Sequence, residues 1–342
     1  MDKPVVIAVD AAGGDYAPGE IIKGAVMAAE DNDIEIALVG RKSLIHVSAA
    51  RYMKRARLSI VDASQVIESD ESPMKAVLSK PDSSIVVGIN LVKEGKAQAF
   101  VSAGNTGAVF GAAFLKLGIM EGIERPAICA ILDITETTPV ALIDAGANAD
   151  CKPHYLVQFA EMGSLFVKLI MGIESPRVGL LNNGTEENKG NRLAVESYAL
   201  LKQAPINFIG NIEANDIPKG RVDVVVTDGF TGNIVLKTLE GMGEAVQNFK
   251  QLWKSIYKAA HVHGSPLAGS VGLDVWAKKL DFREYGGACL LGVNGNIIKA
   301  HGRSHARAIK SAIVLAKQVV ENNIIEMIRK EKINGKDSHS DR

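Results

Sequence analysis

One stretch of the sequence joins a glycine-rich turn to an amide side chain. A short run of β-branched residues leads into Asp228 and Gly229, then into Gly232 and Asn233, and a helical pattern follows. Glycine lets the backbone approach a ligand closely, and the free N–H groups at the start of a helix favour an anion. The asparagine amide can donate and accept hydrogen bonds at the same place. This stretch predicts a site for phosphate or another oxyanion.

Similar polar glycine turns follow other predicted strands. One of them contains Lys189, and a lysine can hold phosphate as a point charge. Because the carboxyl ends of parallel strands share one edge of a sheet, we expect the turns to converge on one cleft. Such a cleft can also stabilise a developing tetrahedral oxyanion. The candidate binding residues are Asp10, Gly13, Gly14, Asp15, Ser102, Gly104, Asn105, Thr106, Asp144, Asn148, Asn182, Gly184, Asp228, Gly229, Gly232 and His301.

A structural interpretation competes with binding at each turn. Serine, asparagine and aspartate are favoured at helix N-caps whether or not a ligand is present, and Lys189 taken alone is a solvated loop residue. For Asp10 and Asp15 the two interpretations stay open. In the turn at 102–108, the coincidence of several donors favours binding.

Composition and missing motifs exclude several function classes. Lys plus Arg and Asp plus Glu both number 39, so the formal net charge is zero and nucleic-acid binding is not expected. Cys129, Cys151 and Cys289 are far apart, which argues against a zinc site or a disulfide framework. The sequence contains no HExxH, Walker A or GxSxG motif. The first residues read as a strand, and no apolar run approaches the ~20 residues of a membrane span, so we expect a cytoplasmic protein.

The elements that must position these residues alternate between apolar strands and amphipathic helices, which is typical of an α/β fold with a mostly parallel sheet. We expect one catalytic domain over residues 1–333 and a disordered tail over 334–342. Strands are expected near residues 5–9, 34–39, 58–61, 99–102, 126–132, 140–143, 177–181, 206–209, 223–227, 285–292 and 297–299. Helices are expected near residues 18–30, 85–94, 155–171, 191–202, 238–261, 274–280, 305–320 and 324–331.

A helical hairpin is expected to protrude at about residues 242–280. It has a lysine stripe on one face and an apolar, glycine-rich tip. Such a hairpin suits either a membrane surface or a subunit interface, and periodicity does not separate the two. The candidate membrane contacts are Trp253, Lys254, Lys258, Leu267 and Val271.

Taken in order along the chain, these motifs resemble the bacterial family of acyl-[acyl carrier protein]:phosphate acyltransferases of phospholipid synthesis. The resemblance rests on the segments 10–18, 102–108, 144–153, 179–191, 210–216, 223–241, 285–288 and 301–304. It implies a three-layer α/β/α sandwich of the isopropylmalate dehydrogenase and phosphotransacetylase type. It also implies a direct attack of inorganic phosphate on the carrier thioester, giving an acyl phosphate. Positions that depart from the family pattern include Leu78, Asp133, Asn215 and Arg303.

The resemblance also implies partners and residue roles. Lys189 and Asn233 are the implied catalytic residues, and neither a cofactor nor a metal is implied. We expect Lys189 and the 102–106 turn to hold phosphate, and Asn233 or a nearby backbone N–H to polarise the carbonyl. The implied partners are acyl carrier protein, a second copy of the chain, an anionic membrane surface bound peripherally, and a downstream glycerol-3-phosphate acyltransferase.

Two other function classes remain as alternatives. One is a nicotinamide-dependent dehydrogenase on a related sheet, which would need a cluster of carboxylates around a divalent metal. The other is a non-catalytic protein that binds a phosphorylated ligand without turnover.

Overall fold

The computed structural model describes residues 4–50, 52, 55–134, 139–259 and 287–337, without the side chains of 244, 247–259 and 332–337. The strands are β1 (Val5–Asp10), β2 (Ile34–Gly40), β3 (Leu58–Asp62), β4 (Ala99–Ser102), β5 (Ala127–Leu132), β6 (Val140–Ile143), β7 (Val178–Leu181), β8 (Phe208–Ile212), β9 (Val224–Val226), β10 (Ala288–Leu291) and β11 (Asn296–Lys299). The helices are α1 (Gly19–Asp31), α2 (Lys42–Ala49), α3 (Pro73–Ser79), α4 (Ser84–Lys93), α5 (Thr106–Leu117), α6 (Pro153–Met171), α7 (Arg192–Leu201), α8 (Gly229–Ala259), α9 (Ala306–Glu321) and α10 (Ile324–Asp337). A 3₁₀ turn covers Ala214–Lys219.

The strands form a single eleven-stranded sheet with helices on both faces. Its central strands are short apolar runs, and β6 and β9 are buried along their whole length, as expected for strands covered on both sides. The core layer on one face includes α1, α6 and α9. The layer on the other face includes α3, α4 and α5, with apolar residues of α8 packed against it. The predicted α/β/α sandwich is therefore confirmed.

The strand order β3-β2-β1-β4-β11-β10-β5-β6-β9-β7-β8 divides the sheet into two parallel sets. In the first set β1, β2, β3, β4 and β11 run parallel. In the second set β6, β9, β7 and β8 run parallel. The pairs β11–β10, β10–β5 and β5–β6 are antiparallel, so the second set runs opposite to the first.

This reversal corrects the expectation that every polar turn lies at one edge of the sheet. The turns at 10–15, 102–108 and 301–304 follow strands of the first set. The turns at 144–148, 182–190, 210–216 and 228–233 follow strands of the second set and lie at the opposite edge. The sequence does predict a hairpin across residues 135–138 and a hairpin turn at 294–296, and the strand pairs β5–β6 and β10–β11 are antiparallel. The expectation of one edge nevertheless treated the strands as parallel throughout.

Helix α8 also differs from the sequence expectation. Two successive helical segments were predicted, from residue 234 and from residue 238, whereas one helix runs from Gly229 to Ala259. Helix α2 was not predicted. The final helix continues to Asp337, so residues 334–337 of the expected tail are helical. Of the predicted hairpin, residues 260–280 lie outside the described part of the chain, as does the expected turn at 135–138 between β5 and β6.

Arg177 and Asp223 form a partly buried ion pair where β7 and β9 begin. The guanidinium donates to both carboxylate oxygens, at 3.0 Å from Nε and 2.8 Å from Nη2. The backbone N–H of Arg177 donates to the same carboxylate at 2.7 Å. Burial acts to raise the pKa of Asp223, but the hydrogen bonds and charge of Arg177 outweigh it and hold that pKa below 3.8.

Replacing Arg177 by methionine is expected to lower the free energy of unfolding by about 2–3 kcal/mol at neutral pH, because it removes charged hydrogen bonds from a buried carboxylate. A carboxyl group whose pKa is lower in the folded than in the unfolded protein stabilises the fold at pH values above the unfolded-state pKa. That stabilisation is lost as the pH falls through the folded-state pKa. The difference between wild type and variant should therefore shrink below pH 3.8. Urea unfolding of both proteins at several pH values measures this difference in unfolding free energy.

The matched control is Arg192→Met. Arg192 pairs with Glu196 one helical turn away, but its side chain is 90 % exposed, so its loss should cost under about 0.5 kcal/mol. Equal effects of the two substitutions would show that the Arg177 pair is no stronger than a surface contact.

Candidate active site

A cavity of about 880 Å³ lies between the sheet and α8. One wall is apolar and is formed by β5 and α8, with Ile128, Leu132, Leu236 and Leu239 among its residues. Of the predicted site residues, the cavity is lined by Gly13, Gly14, Asp15, Gly104, Asn105, Thr106, Asn233 and His301. Helix α8 follows a strand of the second set and returns across the sheet face, so it brings Asn233 into the same cavity as turns of the first set.

The start of α8 is held by its own turn. Asp228 caps the helix by accepting hydrogen bonds from the N–H and hydroxyl of Thr231, at 2.8 and 2.9 Å. A Cβ on Gly232 would lie 1.9 Å from the carbonyl oxygen of Asp144, and one on Gly229 would lie 2.7 Å from the backbone of Asn148. These glycines therefore serve close packing between two turns, and neither they nor Asp228 lines the cavity.

Asp144 is buried beneath this turn and organises the loop that follows β6. Its carboxylate accepts hydrogen bonds from the N–H groups of Ile128, Gly146, Ala147 and Asn148, and from the side-chain amide of Asn148. Burial raises the pKa of Asp144, although these donors oppose that shift. Asp144 and Asn148 are thus loop-positioning residues and do not line the cavity.

Asn233 is the residue of this motif that reaches the cavity. It is exposed on the second turn of α8, and its side-chain atoms lie about 3.5 Å from where a Cβ on Gly146 would stand. Gly146 has φ +140°, a backbone conformation that favours glycine. The loop held by Asp144 therefore passes close to the Asn233 side chain, and a larger residue at Gly146 would come into contact with it.

The turn after β4 uses most of its polar side chains structurally. The Asn105 side chain caps α5 by accepting from the N–H of Ala108 at 3.0 Å, and its amide donates to carbonyl oxygens of the loop at 68–71. The hydroxyl of Ser102 donates to Asp10 Oδ2 at 2.6 Å and accepts from the N–H of Gly104 at 3.0 Å. Asn105 therefore caps α5, as the structural interpretation expects, and it also lines the cavity together with Gly104 and Thr106.

The other turns of the first set meet this one. A Cβ on Gly13 would lie 2.3 Å from Asp10 Oδ2 and 2.7 Å from the N–H nitrogen of Gly104. The N–H of Asp15 donates to the carbonyl of Gly302 at 2.8 Å. Burial raises the pKa of Asp10, which lies behind the cavity wall, while its hydrogen bond with Ser102 acts the other way.

A cluster of ionisable side chains lines the cavity beyond Asn233, and two of its members, Lys237 and Glu240, were not predicted from the sequence. Lys237 and Glu240 follow Asn233 along one face of α8, and Lys237 Nζ lies 2.7 Å from Glu240 Oε2. His301 Nε2 lies 3.5 Å from the same oxygen, and its Nδ1 accepts from the N–H of Arg303 at 3.1 Å. Burial acts to raise the pKa of Glu240, but the hydrogen bonds from His301 and Lys237 outweigh it and lower that pKa.

Lys299 ends β11 on the cavity wall and was also missed. It is a charged residue at the end of an apolar strand, and it is only 9 % exposed. Burial lowers its pKa to about 8. The sequence signal for Lys299 was a charged residue at the last position of a strand that is otherwise mostly apolar. Asp133 and Arg303, two departures from the family pattern, line the cavity as well.

Lys189 lies outside the cavity wall. It is exposed in the loop after β7, where the Asn182 amide donates to its carbonyl oxygen at 3.0 Å. A Cβ on Gly184 would lie 3.1 Å from the Lys189 side chain. The loop is at the same sheet edge as the Asn233 turn, because β7 is parallel to β9 and adjacent to it.

The candidate membrane contacts are not placed. Leu267 and Val271 lie outside the described residues, and for Trp253, Lys254 and Lys258 only the backbone of α8 is described. Over the described residues, no helix combines the length and apolarity needed to cross a bilayer. In the same residues, no three His, Cys, Asp or Glu side chains group closely enough to hold a metal ion.

Comparison with known proteins identifies the relatives of this chain. Residues 5–327 match the sequence model of a family described as "Fatty acid synthesis protein". The phosphate acyltransferase of Dehalococcoides mccartyi is 53 % identical over 95 % of this chain and 93 % of its own length. The phosphate acyltransferase of Heliobacterium modesticaldum is 50 % identical over 96 % of this chain and 98 % of its own.

Solved structures support the fold. A phosphotransacetylase from Streptococcus pyogenes superposes with a TM-score of 0.59 at 16 % identity, covering 95 % of each chain. A branched-chain phosphotransacylase from Enterococcus faecalis gives a TM-score of 0.60 at 13 % identity, covering 92 % of this chain and 99 % of its own. With the family match and the 50–53 % identical relatives, the chain belongs to the fatty acid synthesis protein family and is an acyltransferase.

Proposed function

We propose that the enzyme forms an acyl phosphate from acyl carrier protein thioester and inorganic phosphate. The observation that supports this most is that one cavity combines an apolar wall, the Asn233 amide and a buried lysine. The apolar wall of β5 and α8 suits a fatty acyl chain. The polar groups suit a thioester carbonyl and an oxyanion. The identity to phosphate acyltransferases agrees with this assignment.

The reaction needs only that phosphate be positioned and partly desolvated. A phosphate oxygen forms a C–O bond with the thioester carbon, and the C–S bond breaks with its electron pair on sulfur. The proton of hydrogen phosphate balances the thiolate, so the products are an acyl phosphate and the carrier thiol. In this proposal the Asn233 amide donates to the carbonyl oxygen as it gains charge.

The resemblance assigns further roles that belong to this proposal. Lys189 acts on phosphate from the loop after β7. The enzyme works as a homodimer, peripherally on the cytoplasmic face of an anionic membrane. A glycerol-3-phosphate acyltransferase consumes the acyl phosphate, which feeds phosphatidic acid synthesis. No cofactor is needed for this chemistry.

The test is phosphate-dependent release of free thiol from acyl carrier protein thioester, with the acyl phosphate trapped by hydroxylamine as a hydroxamate. Wild type should yield thiol and hydroxamate in equal amounts, with a rate that saturates in phosphate. Thiol release without hydroxamate would indicate hydrolysis and contradict the proposal. Binding of phosphate without release of thiol would do the same.

Replacing Lys189 by alanine is expected to raise the KM for phosphate about tenfold or more, because it removes a charge-assisted contact. Initial rates over a range of phosphate concentrations measure this. Lys202→Ala is a suitable control, since Lys202 is an exposed lysine that pairs with Glu187 of the same loop at 2.9 Å. A normal KM in Lys189→Ala would remove Lys189 from the mechanism while leaving the reaction itself in place.

A further inference from the structure

Three buried polar side chains lie side by side at the ends of β1, β4 and β11. Lys299 is paired with Ser102 in the strand register, and Val9 is paired with Val101, which places Asp10 beside Ser102. Cross-strand neighbours in register point to the same face of a sheet. Lys299 is the member of this row that lines the cavity.

The ammonium of Lys299 has unused donor capacity. An ammonium carries three N–H donors. Within the described part of the chain, its hydrogen-bond acceptor is the carbonyl oxygen of Ala300. A buried cation that lacks hydrogen-bond partners is unfavourable, so two donors remain for a ligand that enters the cavity.

The charged groups around Lys299 come from each neighbouring element. Asp10 and Asp15 face it from the first turn, and Lys237 and Glu240 face it from α8. Two of these carboxylates are already engaged, since Asp10 accepts from Ser102 and Glu240 accepts from Lys237. Within the described residues the partner of Lys299 Nζ is the carbonyl oxygen of Ala300 and not a carboxylate, so its charge is not neutralised by a direct ion pair.

The amino end of α5 adds a second attraction for an anion. This twelve-residue helix begins directly after the turn that contains Ser102, and Thr106 and Gly107 in its first turn line the cavity. Helix starts present free N–H groups and a partial positive charge. The helix start and Lys299 therefore line the same cavity, and the strand register pairs Lys299 with Ser102, in the turn that leads into α5.

We propose that Lys299 is the buried cation that binds the phosphate substrate, on the cavity wall beside the amino end of α5. The inference rests on the proposed function and names the anion subsite within it. The shared chemistry is that of a phosphate oxyanion, which could come from inorganic phosphate or from the phosphodiester of a carrier prosthetic group.

The assignment has a consequence for proton uptake. Burial lowers the pKa of Lys299 to about 8, and a bound anion favours the charged lysine and raises that pKa. Anion binding near pH 8 should therefore take up about half a proton. Affinity should be constant below that pH and should fall about tenfold per pH unit above it.

Sulfate is the sharper probe, because it does not titrate in this range. Calorimetry of sulfate binding to the full chain, between pH 6.5 and 9.5 in two buffers of different ionisation enthalpy, measures affinity and proton uptake together. Wild type should take up protons on binding sulfate near pH 8, and its sulfate affinity should fall as the pH rises above 8. Lys299→Met should bind sulfate about 10–100-fold more weakly and show neither.

Other variants separate Lys299 from its neighbours. Lys189→Met should keep the proton uptake and the pH slope of wild type. Lys237→Met should move the slope to higher pH without abolishing it, because the charge of Lys237 lowers the pKa of Lys299. If the single Lys299→Met variant does not fold, Asp10→Asn/Lys299→Met removes the buried carboxyl together with the ammonium. A pH slope that persists without Lys299, or that disappears with one of the other groups, would overturn the proposal.

Kinetics separates the two sources of the anion. In Lys299→Met, the KM for inorganic phosphate should rise about 10–100-fold, with a smaller change in the KM for acyl carrier protein thioester. The reverse pattern would assign the site to the carrier phosphodiester and overturn the proposal. If wild type binds sulfate with the Lys299 signature but forms no acyl phosphate, the proposed function fails and the anion site stands.

Discussion

Replacing Asn233 by alanine is expected to lower kcat for acyl-phosphate formation about 10²–10³-fold, which is the usual cost of removing one donor to a developing oxyanion. Asn233 lines the cavity from the exposed second turn of α8. Its side chain lies about 3.5 Å from where a Cβ on Gly146 would stand, beside a loop whose N–H groups donate to Asp144. An amide N–H on the cavity wall can donate to the carbonyl oxygen as charge develops there.

The measurement compares kcat, KM and thermal unfolding of wild type and variant. Unfolding should be nearly unchanged, because exposed side chains contribute little to stability. Asn233→Asp is the matched control, since it keeps the shape and replaces the amide donor by a carboxylate, and it should be impaired at least as strongly. A variant with normal kcat and a raised KM would show that Asn233 binds substrate equally in the ground and transition states.

Replacing Gly232 by alanine is expected to cost at least about 2 kcal/mol of unfolding free energy and most of the catalytic activity. The new Cβ would stand 1.9 Å from the carbonyl oxygen of Asp144 and 3.0 Å from its carbonyl carbon. Backbone atoms cannot move aside as a flexible side chain can. The helix start must therefore shift away from the Asp144 loop, and Asn233 shifts with it.

Gly241→Ala provides an internal comparison on the same helix. A Cβ on Gly241 meets no atom within 4 Å, so alanine there should stabilise α8 by about 0.5–1 kcal/mol. Chemical denaturation and the thiol-release assay on both variants measure the contrast. Similar behaviour of the two would mean that the contact between Gly232 and Asp144 does not constrain the helix.

The sequence was informative wherever local pattern determines local structure. The apolar runs placed strands such as β6 with the observed bounds, Val140–Ile143, because a strand buried on both faces has no polar positions. The periodicity of residues 155–171 located α6, which begins two residues earlier at Pro153. Strand direction is not a local property, and the reversal through β10 and β5 depends on partners far apart in the chain.

The candidate site shows the same contrast between features set by local sequence and features set by contacts distant in sequence. Asn233 was found because it stands in a recognisable turn, and the structure places it on the cavity wall. Asp144 and Asn105 stand in similar turns, but their side chains are engaged in structural hydrogen bonds. Asp144 accepts from the N–H of Ile128 in β5, and Asn105 caps α5 and donates to the loop at 68–71. Lys299 could not be separated from an ordinary strand-end lysine, because its burial depends on helix α8 and on strands distant in sequence.

The strand order has a consequence for the order in which the protein is assembled during synthesis. Strands β10 and β11 lie between β4 and β5 in the middle of the sheet, yet they are the last strands to leave the ribosome. Until residues 288–299 emerge, β4 and β5 each present an unpaired edge, which is open to pairing with other chains. A nascent chain stopped before β10 would therefore contain two separate half-sheets, each with an unpaired edge strand, and its cavity would be incomplete. Chaperone demand should peak late in translation.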